Sequence, residues 1–192
     1  MMSKFFFYYS TMNAGKSTIL LQVSYSHFQN KMNVIIFTSI LDIRYGVGVV
    51  KSRKGLISNA IPIYDNFNLF KYVSIYIKHK YLNCIFIDEG HFLKRSHVYQ
   101  ILDIINFFNI SVLVYGLRSD FLVEPFEGSM YLMSLAESII EVKNICFCGK
   151  KATMNVRIDD CGKKIISGSK IKIGGDDIYS SVCIYHYFNF NI

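Results

Sequence analysis

Short apolar runs alternate with longer amphipathic stretches along the first three quarters of the chain. Four runs are rich in β-branched and aromatic residues and are predicted to be buried strands: residues 5–9, 34–38, 84–87 and 111–115. Three stretches between them have the length and rough periodicity of helices: residues 16–30, 69–81 and 96–109. This alternation predicts an α/β fold in which helices flank a parallel sheet.

The pattern changes after about residue 143. The remaining residues contain glycines at 149, 162, 168, 174 and 175, most of the cysteines and no long helical pattern. A segment this short is not stabilised by apolar burial alone. We therefore predict two units: residues 1–143 as an α/β domain, and residues 144–192 as a small loop-rich lobe that needs a further stabilising element.

The composition favours a chain with a substantial apolar core. Hydrophobic residues make up 52% of the 192 residues and charged residues 18%, which excludes intrinsic disorder. No apolar run approaches the roughly 18 residues that a membrane-spanning helix needs. The apolar block at residues 5–9 is too short for a signal peptide. We therefore expect a cytoplasmic protein without a membrane partner.

The net charge of +7 favours anionic partners. However, the abundant Ile, Phe, Tyr, Asn and Lys are residues with A/T-rich codons, so a biased genome explains the lysines equally well. The charge is therefore no argument for nucleic-acid binding, and no nucleic-acid partner is predicted.

The first predicted strand is followed by a sequence typical of a phosphate-binding loop. Residues 10–18 read STMNAGKST, close to the pattern G-x-x-x-x-G-K-[ST]. Gly15 lets phosphate oxygens approach the backbone, Lys16 supplies a positive charge, and the Ser17 hydroxyl can bind Mg²⁺. The predicted phosphate-binding residues of this loop are Ser10, Thr11, Met12, Asn13, Ala14, Gly15, Lys16 and Ser17.

The loop departs from this pattern at Ser10, which stands where the first glycine is usual. If that position required a positive φ, a side chain would cost roughly 1–2 kcal/mol, which a fold can tolerate. The alternative interpretation of the segment is a strand–turn–helix corner that binds no ligand. The strand before it and the helix after it favour the phosphate loop.

An acidic pair, Asp88 and Glu89, follows the predicted strand at residues 84–87. Nucleoside triphosphatases hold Mg²⁺ at strand ends of this kind, and a buried charge without a partner is costly. We predict that Asp88 lies at a metal–nucleotide site. The alternative is that Asp88 caps the N-terminus of the following helix.

Two pairs of metal-binding residue types frame the C-terminal lobe: Cys146 with Cys148, and Cys183 with His186. Three thiolates and an imidazole suit a closed tetrahedral Zn²⁺ site, and its role would be structural because no position is left for a substrate. The first pair is C-x-C instead of the commoner C-x-x-C. The alternative is three free buried cysteines and a surface histidine.

With these motifs in place, the chain resembles the thymidine kinases of the compact, zinc-containing type shared by bacteria, animals and large DNA viruses. The resembling segments are the phosphate loop at 8–18, D-I-R-Y at 42–45, I-D-E-G-H-F at 87–92, Y-G-L-R-S-D-F at 115–121, and I-G-G through Y-S-S-V-C at 173–183. Ser10 and the C-x-C pair resemble the enterobacterial branch most. The resemblance implies a RecA-like P-loop NTPase domain for residues 1–143. For residues 144–192 it implies a zinc-containing lobe with a lasso loop that closes over the substrate.

The resemblance also implies a reaction, the transfer of a phosphoryl group from ATP to thymidine in nucleotide salvage. Glu89 is then the general base, Ser17 and Asp88 hold Mg²⁺, and Arg44 approaches the transferring phosphate. The implied ATP-binding residues outside the loop are Arg44, Asp88, Gly90 and His91. The implied thymidine-binding residues are Met12, Asp42, Phe92, Leu117, Phe121, Phe126, Lys172, Ile173, Gly174 and Tyr179. The implied zinc ligands are Cys146, Cys148, Cys183 and His186.

Three residues depart from the family pattern: His91 replaces a glutamine, Lys172 replaces an apolar residue, and Ile184 replaces an arginine. The resemblance further implies a homotetramer and feedback inhibition by thymidine triphosphate. The alternative function is a nucleic-acid-dependent P-loop ATPase, in which the acidic pair would activate water. A third interpretation is a zinc-stabilised binding module that has lost catalysis.

Overall fold

The structure, a computed structural model, describes residues 4–169 and 178–190 of the chain. In chain order its elements are β1 (Phe5–Ser10), α1 (Lys16–Gln29), β2 (Val34–Ser39), β3 (Val49–Lys51), β4 (Ile57–Asn59), β5 (Ile61–Ile63), α2 (Leu69–Tyr76), β6 (Cys84–Ile87), a 3₁₀ turn (Gly90–Phe92), α3 (Arg95–Phe108), β7 (Ser111–Leu117), α4 (Glu127–Leu135), β8 (Ser138–Glu141), β9 (Met154–Arg157), β10 (Tyr179–Val182) and α5 (Ile184–Phe188).

Six strands form one parallel sheet in the order β5–β2–β6–β7–β1–β8. β7 separates β1 from β6, with Ser10 paired to Leu117 and Ile87 paired to Val114. Because the strands run in the same direction, the segments that follow β1, β2, β6 and β7 leave the sheet at the same edge. That edge receives both the phosphate loop and the acidic pair.

Helices cover both faces of the sheet and bury two separate apolar clusters. One face packs against α2, α3 and α4 through Leu69, Val73, Val98, Ile101, Ile104 and Leu132. The other face packs against α1 through Leu20, Leu21, Phe86 and Tyr115. The predicted α/β fold, a parallel sheet flanked by helices, is confirmed.

The predicted elements agree with the structure except at their ends and in the short segments between them. The four predicted strands are β1, β2, β6 and β7, and the three predicted helices are α1, α2 and α3. The chain turns at residues 77–79, so α2 ends at Tyr76 and does not reach residue 81, where the predicted helix ended. The strands β3, β4, β5, β8, β9 and β10, the 3₁₀ turn and the helices α4 and α5 were not predicted.

The C-terminal lobe has a small core of its own. β9 and β10 pair antiparallel, and α5 follows β10. The buried side chains of this apolar core are those of Cys146, Ala152, Val156, Val182, Cys183, Tyr187 and Phe190. The boundary near residue 143 stays a prediction. The lasso-loop residues Lys172, Ile173 and Gly174 lie outside the described residues.

The described helices were compared with the length and apolar character that a membrane span requires. None of the helices within residues 4–169 and 178–190 is both long enough and apolar enough to span a bilayer.

Candidate active site

Segments from several strand ends meet in one cleft at the carboxyl edge of the sheet. The cleft has a volume of about 220 Å³. Its lining comes from the phosphate loop after β1, the segment after β2, the β3–β4 hairpin and the ends of β6 and β7: Met12, Asn13, Gly15, Lys16, Ser17, Thr18, Arg44, Tyr45, Lys51, Ser52, Arg53, Lys54, Glu89 and Leu117. The structure therefore brings the predicted phosphate loop together with Arg44 and Glu89.

The phosphate loop contains two residues in left-handed backbone conformations. Gly15, at the N-terminus of α1, has φ of 84°, and Asn13 has φ of 64°. Ser10 instead ends β1 in extended backbone, and its hydroxyl donates to the carbonyl oxygen of Val142. The cost foreseen for a side chain at this position therefore does not arise, because the position needs no positive φ.

Lys16 is buried at the base of the cleft, with 8% of its surface exposed. Its Nζ donates to the carbonyl oxygen of Thr11 at 2.8 Å. Burial lowers the pKa of Lys16 to about 8, although the carboxylates of Asp88 and Glu89 act in the opposite direction. A phosphate brought to Nζ would favour the charged ammonium, so the residue is suited to an anionic ligand.

Asp88 and Glu89 take different directions at the end of β6. Asp88 is buried, and burial followed by the charge of Glu89 raises its pKa; the Ser17 hydroxyl beside it acts against this shift. Glu89 has φ of 53°, which turns the chain so that its carboxylate contacts Arg44. The helix-cap alternative for Asp88 is wrong, because Glu89 is the cap residue of the 3₁₀ turn and Lys94 is that of α3.

Arg44 is held between two carboxylates. Its Nε and Nη2 donate to the two oxygens of Asp42 at 2.7 and 2.8 Å, and Nη2 also donates to Glu89. The hydrogen bonds to Asp42 raise the pKa of Arg44, so its charge is fixed. This fork geometry orients the guanidinium toward the cleft, where it can approach a phosphate.

His91 is a neutral side chain buried beside the cleft. Burial, followed by the positive charges of Lys16 and Arg44, lowers its pKa well below the usual value. Its Nδ1 accepts from the backbone N–H of Leu117 at 3.2 Å, which assigns the ring proton to Nε2. Its 3.5 Å approach to Glu89 is therefore not an ion pair.

An aromatic group surrounds this histidine. The His91 ring lies 4.0 Å from Phe92 and 4.6 Å from Phe126, centroid to centroid, and the two phenylalanines meet edge to face. Of the other predicted thymidine contacts, Phe121 is fully buried and Tyr179 begins β10, where its carbonyl oxygen accepts from the Asn13 amide.

The β3–β4 hairpin contributes cleft residues that the sequence analysis missed. Lys51, Ser52, Arg53 and Lys54 line the cleft, and the Arg53 guanidinium donates to the Asn13 side chain of the phosphate loop. The only sequence signal is the basic run at residues 51–54, which resembles the lysine-rich background of the whole chain.

The predicted metal-binding side chains converge in the lobe. The ligand atoms of Cys146, Cys148, Cys183 and His186 all lie within 4.8 Å of one another. His186 Nδ1 is 3.4 Å from Cys146 Sγ and 3.3 Å from Cys183 Sγ, and the sulfurs of Cys148 and Cys183 are 3.9 Å apart. Zinc bonds of about 2.0–2.3 Å give ligand separations in this range in a tetrahedron. The arrangement fits a metal such as zinc. The alternative of three buried cysteines and a surface histidine does not describe it, because Cys148 is exposed and the four ligand atoms lie together.

The chain is similar to known thymidine kinases over nearly its whole length. Residues 3–187 match the family model described as thymidine kinase. The thymidine kinase of Haemophilus influenzae strain Rd is 46% identical over 186 residues, which cover 97% of this chain and 96% of the relative. That of Vibrio parahaemolyticus is 48% identical over 186 residues, which cover 97% of each chain.

Among solved structures, the crystal structure of Bacteroides Pif1 bound to ssDNA is similar to 72% of this chain and 38% of that chain, with a TM-score of 0.38 and 16% identity. A likeness this low supports no argument about fold or activity.

Proposed function

The chain belongs to the thymidine kinase family, and from this premise we propose that it transfers the γ-phosphoryl group of ATP to the 5′-hydroxyl of thymidine. The observation that carries the proposal is that the phosphate loop, Arg44 and Glu89 line the same cleft. A protein that catalyses phosphoryl transfer mainly has to position the reactants and neutralise the charge on the phosphates. The cleft offers both.

The phosphate loop and Arg44 would stabilise the transferring group. Lys16 sits at the base of the cleft, and the backbone amides at the start of α1 point toward the same space, where the helix dipole favours an anion. The Arg44 guanidinium, fixed by Asp42, adds a second positive charge to the cleft. These groups are preorganised, so they need no rearrangement as charge builds up on the phosphate.

Glu89 would accept the proton of the 5′-hydroxyl. Its carboxylate lies at the cleft, whereas that of its neighbour Asp88 is buried beside Ser17. The contact with Arg44 holds the Glu89 side chain in one orientation. A base placed in this way contributes about 10²–10⁴-fold to a rate.

The oxygen ligands for a magnesium ion would be Ser17 and Asp88. A buried carboxylate with a hydroxyl beside it is the donor set that this ion prefers, and burial of Asp88 without a cation is costly. Mg²⁺ bound with ATP supplies charge neutralisation at the β and γ phosphates. The Cys146, Cys148, Cys183 and His186 cluster would hold a structural zinc ion.

The aromatic group beside the cleft would enclose the thymine base. Phe92 and Phe126 lie against His91, and Leu117 lines the cleft. Met12, Phe121 and Tyr179 remain further proposed contacts. The two-unit division, the tetramer, inhibition by thymidine triphosphate and the cytoplasmic location stay predictions.

One assay tests the proposed function against its alternatives. Purified protein with Mg²⁺ and ATP is supplied with thymidine, with DNA, with both or with neither, and ADP and thymidine monophosphate are measured. We expect ADP formation only with thymidine, in equal amount to thymidine monophosphate. ADP formation that DNA stimulates without a nucleoside product would instead identify a nucleic-acid-dependent ATPase, and absence of turnover would favour a binding module.

Nucleoside selectivity tests the proposed base pocket. The thymine methyl group against apolar side chains is worth only about 1–3 kcal/mol, so kcat/KM for deoxyuridine should be about 10–200-fold lower than for thymidine. Deoxycytidine should be rejected, because cytosine presents a 4-amino donor where thymine presents a 4-oxo acceptor, so polar groups that pair with thymine would be left unpaired. Competition between the three nucleosides, followed by product chromatography, measures this. Equal rates for deoxycytidine and thymidine would contradict the pocket.

A further inference from the structure

Side chains of the C-terminal lobe bind both main-chain groups of Met12 in the phosphate loop. The N–H of Met12 donates to Asn155 Oδ1 at 2.8 Å. Its carbonyl oxygen accepts from the Ser181 hydroxyl at 2.6 Å and from Asn144 Nδ2 at 3.0 Å. The backbone of the phosphate loop is therefore fixed here by residues more than 130 positions away in sequence.

Asn155 is the buried member of this group. It lies on β9 with 4% of its surface exposed, and its Nδ2 donates to the carbonyl oxygen of Ser119 at 3.1 Å. Its carboxamide thus bridges the phosphate loop and the segment after β7. Asparagine is depleted in strands, and a buried amide is costly unless it is hydrogen-bonded. The two hydrogen bonds, with the Met12 N–H and the Ser119 carbonyl oxygen, explain why an asparagine is buried at this position of β9.

The bridged residue precedes the part of the loop whose geometry matters for phosphates. Met12 is followed by Asn13 and then Gly15, both with positive φ. Amide groups in such a loop stabilise charge only if they are already oriented, and small displacements weaken each hydrogen bond. A bond from the lobe to Met12 restricts the conformations that the loop adopts when no ligand is bound.

We propose that Asn155 is a positioning residue for the phosphate loop, assisted by Ser181, and that it makes affinity for a nucleoside triphosphate depend on the lobe. The inference takes ATP as the ligand from the proposed function, but it does not depend on thymidine as the acceptor. Asn155 acts through Met12 and does not itself line the cleft.

The main test replaces Asn155 by leucine or by aspartate. Asn155→Leu fills similar space but leaves the Met12 N–H and the Ser119 carbonyl unpaired, so the Kd of Mg–ATP should rise about tenfold. Asn155→Asp keeps an acceptor oxygen for the Met12 N–H, so the loop should stay fixed, but its second carboxylate oxygen faces the Ser119 carbonyl and its negative charge repels ATP, so the Kd should rise in this variant as well. Calorimetric titration with Mg–ATP, without a nucleoside, gives the Kd. Amide hydrogen exchange at residues 13–16 should be faster in the leucine variant alone.

A second pair of variants on β10 uses a smaller change. Ser181→Ala removes one donor to the Met12 carbonyl oxygen and should weaken Mg–ATP binding about two- to fivefold. The matched control is Ser180→Ala, because side chains alternate along a strand and Ser180 therefore points to the opposite face. Ser180→Ala should bind Mg–ATP like the unaltered protein.

The outcomes separate this proposal from a purely structural role and from the proposed function. Folded Asn155→Leu protein with unchanged Mg–ATP affinity and unchanged exchange would overturn it, even if the melting temperature fell. If that variant does not fold, equal affinities of Ser181→Ala and Ser180→Ala would overturn it. Protein that binds Mg–ATP but forms no thymidine monophosphate would contradict the proposed function while leaving the Asn155 comparison valid.

Discussion

At the scale of single residues, Asp88 and Glu89 show how one acidic pair can serve two purposes. The left-handed backbone of Glu89, with φ of 53°, costs a residue other than glycine of order 1–2 kcal/mol. This turn separates the two carboxylates, one beside Ser17 and the other against Arg44. The strained conformation is thus accounted for by the geometry of the proposed reaction site.

Glu89→Gln should lower kcat by about 10²–10⁴-fold, because the amide cannot accept the proton of the 5′-hydroxyl. The Kd of Mg–ATP should change little, since the phosphate loop is untouched. Steady-state kinetics and calorimetric titration measure the two quantities. Glu137→Gln, at an exposed position between α4 and β8, is the control and should keep full turnover. Unchanged kcat in Glu89→Gln would remove Glu89 from the role of general base.

At the scale of elements, α4 positions the segment that carries His91 and Phe92. Gly128, in the first turn of α4, lies against the backbone of this segment. A Cβ atom there would be 2.6 Å from the carbonyl oxygen of Gly90, 2.7 Å from that of Leu93 and 2.9 Å from that of His91. Such close approach is possible only for a residue without a side chain, so the glycine sets how near the helix packs.

Gly128→Ala should therefore destabilise the protein through overpacking, by about 1–3 kcal/mol. For a chain of this size the melting temperature should fall by roughly 2–10 °C. KM for thymidine should also rise, because the displaced segment bears the aromatic group. Calorimetry and steady-state kinetics measure both effects. Ser134→Ala, at an exposed position on the same helix, should leave both values unchanged; an equally stable Gly128→Ala protein would contradict the packing argument.

At the scale of the whole molecule, the C-terminal lobe combines a small apolar core with a metal-binding cluster. Among the described residues, seven buried side chains form that core, and two of them, Cys146 and Cys183, belong to the cluster. A bound metal would add to the stability of the lobe, because its binding energy becomes folding energy. The lobe in turn holds Met12 of the phosphate loop.

Cys148→Ser should release zinc and unfold the lobe. Native mass spectrometry would show loss of the metal, and limited proteolysis would show faster cleavage after about residue 143. Mg–ATP affinity should fall as well, if the lobe fixes the loop. Cys161→Ser is the control: Cys161 is exposed and lies outside the cluster, so zinc and protease resistance should be retained. A Cys148→Ser protein that resists proteolysis without bound metal would show that the stability of the lobe does not depend on the metal.

The sequence predicted the parts of this molecule whose side chains are buried in a regular pattern. All four residues of β6 are buried, so the strand appears as a continuous apolar run. The phosphate loop and the cysteine pairs were found because their chemistry fixes their spacing. The β3–β4 hairpin was missed because its strands have three residues each and are partly exposed. Asn155 was missed because its partner, Met12, is distant in sequence and no motif connects them.

The bonds between Met12 and residues 144, 155 and 181 have a consequence for recombining related enzymes. In a chimera that takes its lobe from one parent and its phosphate loop from another, the lobe side chains would face the loop backbone of a different protein. The crossover point should therefore keep residues 10–18 with the C-terminal lobe of the same parent, although most of the chain lies between them.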